Sequence, residues 1–132
     1  MREILFRGKT AWGEWIEGFP MIFTDNFVQI CNPFIHNKTV YPETVGQYTG
    51  LCDKNGKKIF EGDICRFREW INGDMCWIGK VHYEHQQFVI SGNPNKECES
   101  EFLLVMSRFI PENIEIIGNI HDNPEQLKGG EG

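Results

Sequence analysis

The sequence predicts a mainly β protein: a small SH3-like β-barrel with an additional N-terminal β-hairpin or sheet arm and short helical turns. Short apolar segments alternate with turn residues about every ten positions, a spacing typical of small β-barrels. Two Asn-Gly dipeptides, at 55–56 and 72–73, have the composition of type I′ hairpin turns. Between the turn at 61–63 and Ile120 the pattern gives about five strands, the number that suits an SH3-like barrel.

Length and composition indicate one folded domain, or a small domain with a short additional segment. The chain has 132 residues, of which 40% are hydrophobic, and its ten Phe and four Trp supply bulky core material. We predict an N-terminal hairpin arm at 1–41, a barrel core at 42–127 and a disordered tail at 128–132. No apolar run approaches the ~20 residues of a membrane span, so we expect a soluble, cytoplasmic protein with no membrane partner.

Within the arm, apolar residues bounded by Gly, Asn and Pro predict strands. The expected elements are strands at 3–7, 14–18 and 27–31, further pairing through 19–23, and a turn at 10–13. Pro33 ends the third strand, because proline cannot donate to a β-ladder. The pattern at 34–39 is weak and predicts a loop.

The core begins with a short helix or 3₁₀ segment at 42–45, where Pro42 suits the first helical turn. A central hairpin follows, with strands at 48–51 and 58–60. The remaining expected elements are strands at 64–67, 75–83, 87–90 and 114–120, a β-bulge at Gly79, a turn at 84–86, a surface loop at 93–100 and a helical turn at 123–127. The run at 102–109 fits either a strand or a helical turn.

Three segments of the chain carry a recognisable signature. The central one is TVGQYTGL at 44–51 followed by DKNGKKIFEGDI at 53–64. The others are REILFRGK at 2–9 with GEWIEG at 13–18, and IIGNIHDNPE at 116–125. Together they resemble the YopX family, over residues 2 to about 127. The resemblance implies a small, mostly β protein carried by phages and prophages of bacteria, and it implies no activity.

The polar and glycine residues of this signature are interpreted as turn formers. Glycine and asparagine accept the positive φ angles of tight turns, and aspartate accepts hydrogen bonds from nearby backbone amides. The residues concerned are Gly46, Gly50, Asp53, Asn55, Gly56, Glu61, Gly62, Asp63, Gly118 and Asn119. Whether they also bind a ligand stays open.

No nucleophile elbow, phosphate-binding glycine loop or metal-ligand spacing is present, so the sequence predicts no catalytic residue, no cofactor and no metal site.

Charge makes nucleic-acid binding an alternative rather than the favoured function. The net charge is −6, from 13 Lys and Arg against 19 Asp and Glu, which works against non-specific binding to phosphates. A local basic cluster around the central hairpin could still contact phosphates, and four tryptophans at 12, 15, 70 and 77 could stack on bases. The candidate phosphate contacts are Lys54, Lys57, Lys58, Arg66 and Arg68.

The favoured hypothesis is a non-catalytic interaction module that binds a host or phage protein. It is motivated by the family resemblance, the acidic composition and the lack of a catalytic motif. The Phe- and Trp-rich arm also suggests a homo-oligomer formed through residues 1–41. A third hypothesis is a metal-dependent enzyme that uses Glu61, Asp63 or His121.

Overall fold

A computed structural model describes residues 4–69, 75–84, 87–92, 102–105 and 114–131 of the chain. The strands in these residues are β1 (Phe6–Lys9), β2 (Trp15–Thr24), β3 (Phe27–Asn32), β4 (Ile35–Val40), β5 (Gly46–Cys52), β6 (Lys58–Phe60), β7 (Asp63–Glu69), β8 (Met75–Glu84), β9 (Gln87–Gly92), β10 (Phe102–Val105) and β11 (Ile114–Asn119). Two 3₁₀ segments, Pro42–Thr44 and Pro124–Glu131, complete the described elements. The first of them confirms the predicted helical turn at Pro42.

The strands form two antiparallel sheets, which confirms the prediction of a mainly β protein. The first sheet has the strand order β4-β3-β2-β1-β5-β6, and the second has the order β10-β9-β8-β7-β11. The described strands do not close into a barrel, so the SH3-like arrangement stays a prediction. Among the described residues, no helical segment has both the length and the apolar character that a membrane-spanning helix requires.

The contacts divide the chain into two compact units. Unit 1 is Met1–Gly50 and unit 2 is Leu51–Gly132. The predicted division into an arm at 1–41, a core at 42–127 and a tail at 128–132 stays a prediction.

The core of unit 1 lies on one face of β2, β3 and β4. Ile16, Val28, Ile30 and Val40 are buried there, with Val45 packed against them. Alternate residues of a strand point to the same face, so the pairing of Val28 with Val40 brings two core residues together. These four side chains supply the apolar burial that holds the three strands in register.

Two predictions for unit 1 are wrong in detail. A loop was expected at 34–39, but Ile35–Val40 form β4, an edge strand paired with β3. The sequence of β4 lacks clean apolar alternation because, among its described side chains, Val40 is the one that packs in the core. The first strand was expected at 3–7, but β1 continues through Gly8 to Lys9. Glycine suits this strand position because a Cβ at Gly8 would lie only 2.8 Å from Cγ2 of Val40.

The core of unit 2 joins the central hairpin to the second sheet. Its buried members are Ile59, Cys65, Val81, Phe88, Ile90 and Ile114, and Leu51 and Ile116 pack against them. Ile59 belongs to β6 and Leu51 to β5, so the hairpin is fixed by its own apolar side chains. The packing of these side chains also holds the polar turn at the tip of the hairpin, residues 53–57, in place.

The bulge expected at Gly79 is wrong, because the register runs through it without a shift. Gly79 lies opposite Cys65 on β7 and opposite Gly92 on β9. A side chain there would bring Cβ to 2.5 Å from the carbonyl oxygen of Ser91, which explains the glycine.

Residues 102–105 form a strand, which resolves that part of an ambiguous run. The second Asn-Gly turn, the turn at 85–86, the loop at 93–100 and residues 106–109 lie outside the described residues.

Candidate functional site

Asp53 is the best-defined polar side chain of the signature. Its Oδ1 accepts hydrogen bonds from the backbone N–H groups of Asn55 (2.9 Å) and Lys57 (3.0 Å). Its Oδ2 accepts one from the N–H of Ile116 (3.0 Å), on β11. The residue is only 2% exposed. Its carboxylate therefore fastens the turn of the central hairpin to a distant strand.

These donors also determine the acidity of Asp53. Burial by itself would raise the pKa of the carboxyl group. The N–H donors of Ile116, Lys57 and Asn55, together with the charge of Lys57, outweigh burial and hold the pKa below the ordinary value of 3.8. Asp53 is therefore a stably ionised acceptor, which is not the state that a general acid requires.

The turn at 61–63 is held by a similar arrangement. Oδ2 of Asp63 accepts a hydrogen bond from the N–H of Phe60 (2.8 Å), and Asp63 is 1% exposed. Gly62 has a φ of 92°, a conformation that favours glycine. Its N–H donates to the carbonyl oxygen of Val81, and its own carbonyl oxygen accepts from the N–H of Ile120, both at 2.8 Å. Asp63 thus orders the backbone, and half-buried Glu61 precedes it in the same turn.

Asn119 organises the turn that follows β11. Its Oδ1 accepts hydrogen bonds from the N–H groups of His121 (3.0 Å) and Asp122 (2.9 Å). Gly118 is needed beside it, because an added Cβ would lie 2.7 Å from Oδ1 of Asn123. His121, a candidate of the enzyme hypothesis, sits in this turn. Across the described residues, no group of three or more His, Cys, Asp or Glu side chains is arranged to hold a metal ion.

The glycines of the signature occupy two kinds of position. Gly56, in the hairpin turn, and Gly50, within β5, have φ angles of 79° and 90°, a backbone conformation that other residues rarely adopt. Gly46 is a buried residue of β5 and lies opposite Arg7 of β1. Asn55 lies at the tip of the hairpin turn, where it is exposed.

The candidate basic cluster is partly neutralised by one acidic residue. Nζ of Lys54 lies 3.2 Å from Oε2 of Glu115, and Nη1 of Arg66 lies 3.4 Å from Oε1 of the same side chain. Lys57 and Lys58 are exposed on the hairpin. The side chain of Arg68 lies outside the described residues. The structure thus brings Lys54 and Arg66 together, but around a carboxylate.

Where the structure describes side chains, the large exposed apolar ones lie mainly in unit 1. Among the described residues, only Tyr83 and Leu127 of the large exposed apolar side chains belong to unit 2. Those of unit 1 are Ile4, Trp12, Phe19, Met21, Ile22, Phe23, Phe27, Phe34 and Tyr41. Strand alternation identifies side chains that share a face, but it does not say whether anything covers that face.

Trp12 is displayed at the tip of the β1–β2 turn, with 89% of its surface exposed. Buried Thr10 fixes this turn: its Oγ1 accepts hydrogen bonds from the N–H groups of Trp12 and Glu14, both at 3.2 Å. Backbone bonds from Thr10 N to Glu14 O (2.9 Å) and from Gly13 N to Thr10 O (3.0 Å) close it further. These bonds fix the backbone of the turn at Trp12, and the indole side chain lies in solvent.

Phe34 occupies a comparable position in the β3–β4 turn, with 91% of its surface exposed. Oδ1 of Asn32 accepts a hydrogen bond from the N–H of Phe34 (2.9 Å), and Nδ2 of Asn32 donates to the carbonyl oxygen of Glu17 (2.8 Å). β2 leads away from the first turn and antiparallel β3 returns, so Trp12 and Phe34 lie at the same end of unit 1. A threonine or asparagine two positions before an aromatic residue is the sequence signal for both turns.

Comparisons with known proteins show the fold and, separately, the family. The protein EF1440 from Enterococcus faecalis has a crystal structure similar to this chain, with a TM-score of 0.54, 24% identity, and coverage of 96% of this chain and 99% of its own. That likeness shows the fold. No curated protein sequence matches the chain significantly. The family model described as YopX protein matches residues 20–128, and the chain therefore belongs to the YopX family.

Proposed function

We propose that this protein is a non-catalytic interaction module, an accessory protein of a phage or prophage that binds a host or phage protein in the bacterial cytoplasm. One observation carries the proposal: Trp12 and Phe34 project at the same end of unit 1, 89% and 91% exposed, from turns fixed by side-chain hydrogen bonds.

For unit 2 we propose the SH3-like arrangement. It rests on the five strands β7 to β11, which lie between the 61–63 turn and Ile120.

Large aromatic side chains on ordered turns are well suited to binding proteins. Tryptophan is among the residues most enriched at the energetic centres of interfaces. Because Thr10 and Asn32 already order the two turns, little conformational entropy is lost when a partner covers the aromatic rings. Exposure of such side chains has a solvation cost in the free protein, which a partner's apolar surface would relieve.

The test is a tagged pull-down from lysate of a bacterial host, with and without nuclease treatment, followed by affinity measurements with the captured protein. Trp12→Ala and Phe34→Ala should each weaken binding about 30-fold, and the double variant about 1,000-fold, since interface centres contribute about 2 kcal/mol or more each. Leu127→Ala, an exposed apolar residue of unit 2, is the matched control and should leave the affinity unchanged. Circular dichroism checks that each variant keeps its β structure.

Two results would contradict the proposal. One is a partner whose affinity is the same for the double variant and the wild type. The other is capture that disappears on nuclease treatment, which would transfer the assignment to the nucleic-acid alternative.

A further inference from the structure

The face of β2 and β3 opposite the unit 1 core carries a row of exposed apolar side chains. Phe19, Met21 and Phe23 are alternate residues of β2, with exposures of 55%, 46% and 53%. Phe27 of β3 is 41% exposed and stacks on Phe23, with ring centroids 4.8 Å apart. We call these four residues the outer stripe. They are distinct from the turn aromatics Trp12 and Phe34.

We propose that the outer stripe is a homodimer interface, which buries against the same stripe of a second copy of this chain. The two copies are related by a two-fold axis close to Met21. This proposal is independent of the function proposed for Trp12 and Phe34, because it uses a different surface.

The sequence of the outer stripe is self-complementary under two-fold symmetry. An aromatic residue, Phe19, lies two positions before Met21, about 7 Å away along the strand. Another, Phe23, lies two positions after it, where the β2–β3 register shifts between Ile22 and Thr24. In an isologous interface, residue i of one copy contacts residue j of the other, and j contacts i. With the axis at Met21, Phe19 of each copy meets Phe23 of the other. The thioether of Met21 adapts its shape to its own symmetry mate.

The area of the stripe suits a dimer of ordinary size. Phenylalanine side chains offer about 200 Å² each, so the exposed fractions of three Phe and Met21 correspond to about 400 Å². A standard interface needs about 800 Å² from each partner, part of it a polar rim. The stripe therefore supplies about half of the required surface as an apolar centre, and the neighbouring polar side chains supply the rest.

The surroundings of the stripe allow two acidic chains to meet. The residues that neighbour its centre are uncharged: Cys31 lies opposite Phe19, Gln29 lies opposite Met21, and Nδ2 of Asn37 contacts Sδ of Met21 at 4.0 Å. Acidic residues, Glu17 on β2 and Asp25 in the β2–β3 turn, lie at its two ends, where they are exposed. Gln29 in turn donates to Oγ1 of Thr39 (3.3 Å). Like charges directly opposite each other disfavour association, and the uncharged centre of the stripe keeps them away from the axis at Met21, while Glu17 and Asp25 stay at the solvent-exposed ends, where salt screens them.

Sedimentation equilibrium of the full chain tests the proposal. The wild type should have twice the monomer mass of 15.4 kDa. Met21→Asp and Met21→Lys should each be monomeric, with self-association weakened about 100-fold or more by like charges at the axis. An equimolar mixture of the two variants should regain the dimer mass, since opposite charges then meet there. That recovery also shows that both variants are folded.

Ile22→Asp is the matched control. Ile22 neighbours Met21, is 73% exposed and lies opposite Val28, on the core face of β2. The Ile22→Asp variant should remain dimeric. A wild type that stays monomeric at every concentration overturns the proposal, and so does a dimer that Ile22→Asp dissociates but Met21→Asp does not.

Discussion

Asp53 shows how one side chain can serve both a local turn and a distant contact. It orders the amides of Asn55 and Lys57 within its own turn. It also binds the amide of Ile116, 63 positions away in the sequence. Hydrogen bonds to an ionised acceptor are stronger than those between neutral groups. At this buried position they give the aspartate a structural role.

Asp53→Asn should lower the free energy of unfolding by about 3 kcal/mol. The amide retains one acceptor oxygen, but its NH₂ group must face a backbone donor, which leaves at least one buried amide without a partner. Urea denaturation at neutral pH measures the change. Asp25→Asn, in the exposed β2–β3 turn, is the control and should change stability by less than about 0.5 kcal/mol. Equal effects of the two substitutions would contradict the role assigned to Asp53.

The stabilisation from Asp53 should depend on pH below about 4. The folded pKa lies below the unfolded value of about 3.9, so the contribution is fully present above the unfolded value. It is lost as the pH falls through the folded pKa, because the protonated carboxyl no longer favours the three donors. The difference in unfolding free energy between the wild type and Asp53→Asn should therefore shrink at acidic pH. A difference that stays constant down to about pH 2 would argue against an ionised Asp53.

At the scale of elements, close backbone approach determines how β2 and β3 pair. A Cβ added at Gly18 would collide with the carbonyl oxygen of Cys31 and approach Cγ2 of Ile30 to 3.0 Å. The glycine lets the two strands pair where Ile30, a fully buried core residue, passes beside it. This glycine is thus explained by space, and not by an unusual backbone angle.

Gly18→Ala should destabilise unit 1 by about 2 kcal/mol or more, because the strands must separate to admit the methyl group. Gly13→Ala is a matched control: Gly13 has a φ of 87° with open space around it, so the cost should be backbone strain of about 1 kcal/mol. Hydrogen exchange of the β2 and β3 amides distinguishes them. Gly18→Ala should speed exchange in both strands, and protection equal to that of Gly13→Ala would refute this explanation.

At the scale of the whole molecule, charge opposes binding to nucleic acids. Acidic residues outnumber basic ones by 19 to 13, and Glu115 lies between Lys54 and Arg66. Binding to phosphates releases counterions only when several cations are free to contact the backbone. A shared carboxylate reduces the field that these two side chains offer to a phosphate.

We therefore expect no saturable binding of single-stranded or duplex oligonucleotides at physiological salt, measured by fluorescence anisotropy. Lys57→Glu should leave this result unchanged. Binding that weakens steeply with salt and is lost in Lys57→Glu would instead establish the nucleic-acid alternative.

The sequence by itself determined the β content, most strand positions, the central hairpin and the family. These features depend on local chemistry: Asn55-Gly56 favours a turn, Pro33 ends a strand and apolar residues alternate along β3. Such preferences operate over a few residues and need no knowledge of the remaining chain. Motif recognition likewise compares residues in sequence order.

Tertiary structure alone decided the pairing of β4, the bond between Asp53 and Ile116, and the exposure of the outer stripe. β4 has weak strand character and forms because β3 offers it a partner edge. The role of Asp53 depends on a strand 63 positions away. Alternation places Phe19, Met21 and Phe23 on one face of β2, but burial requires another layer over that face. Which face receives that layer is a property of the packed chain, because it depends on contacts between segments that are distant in sequence.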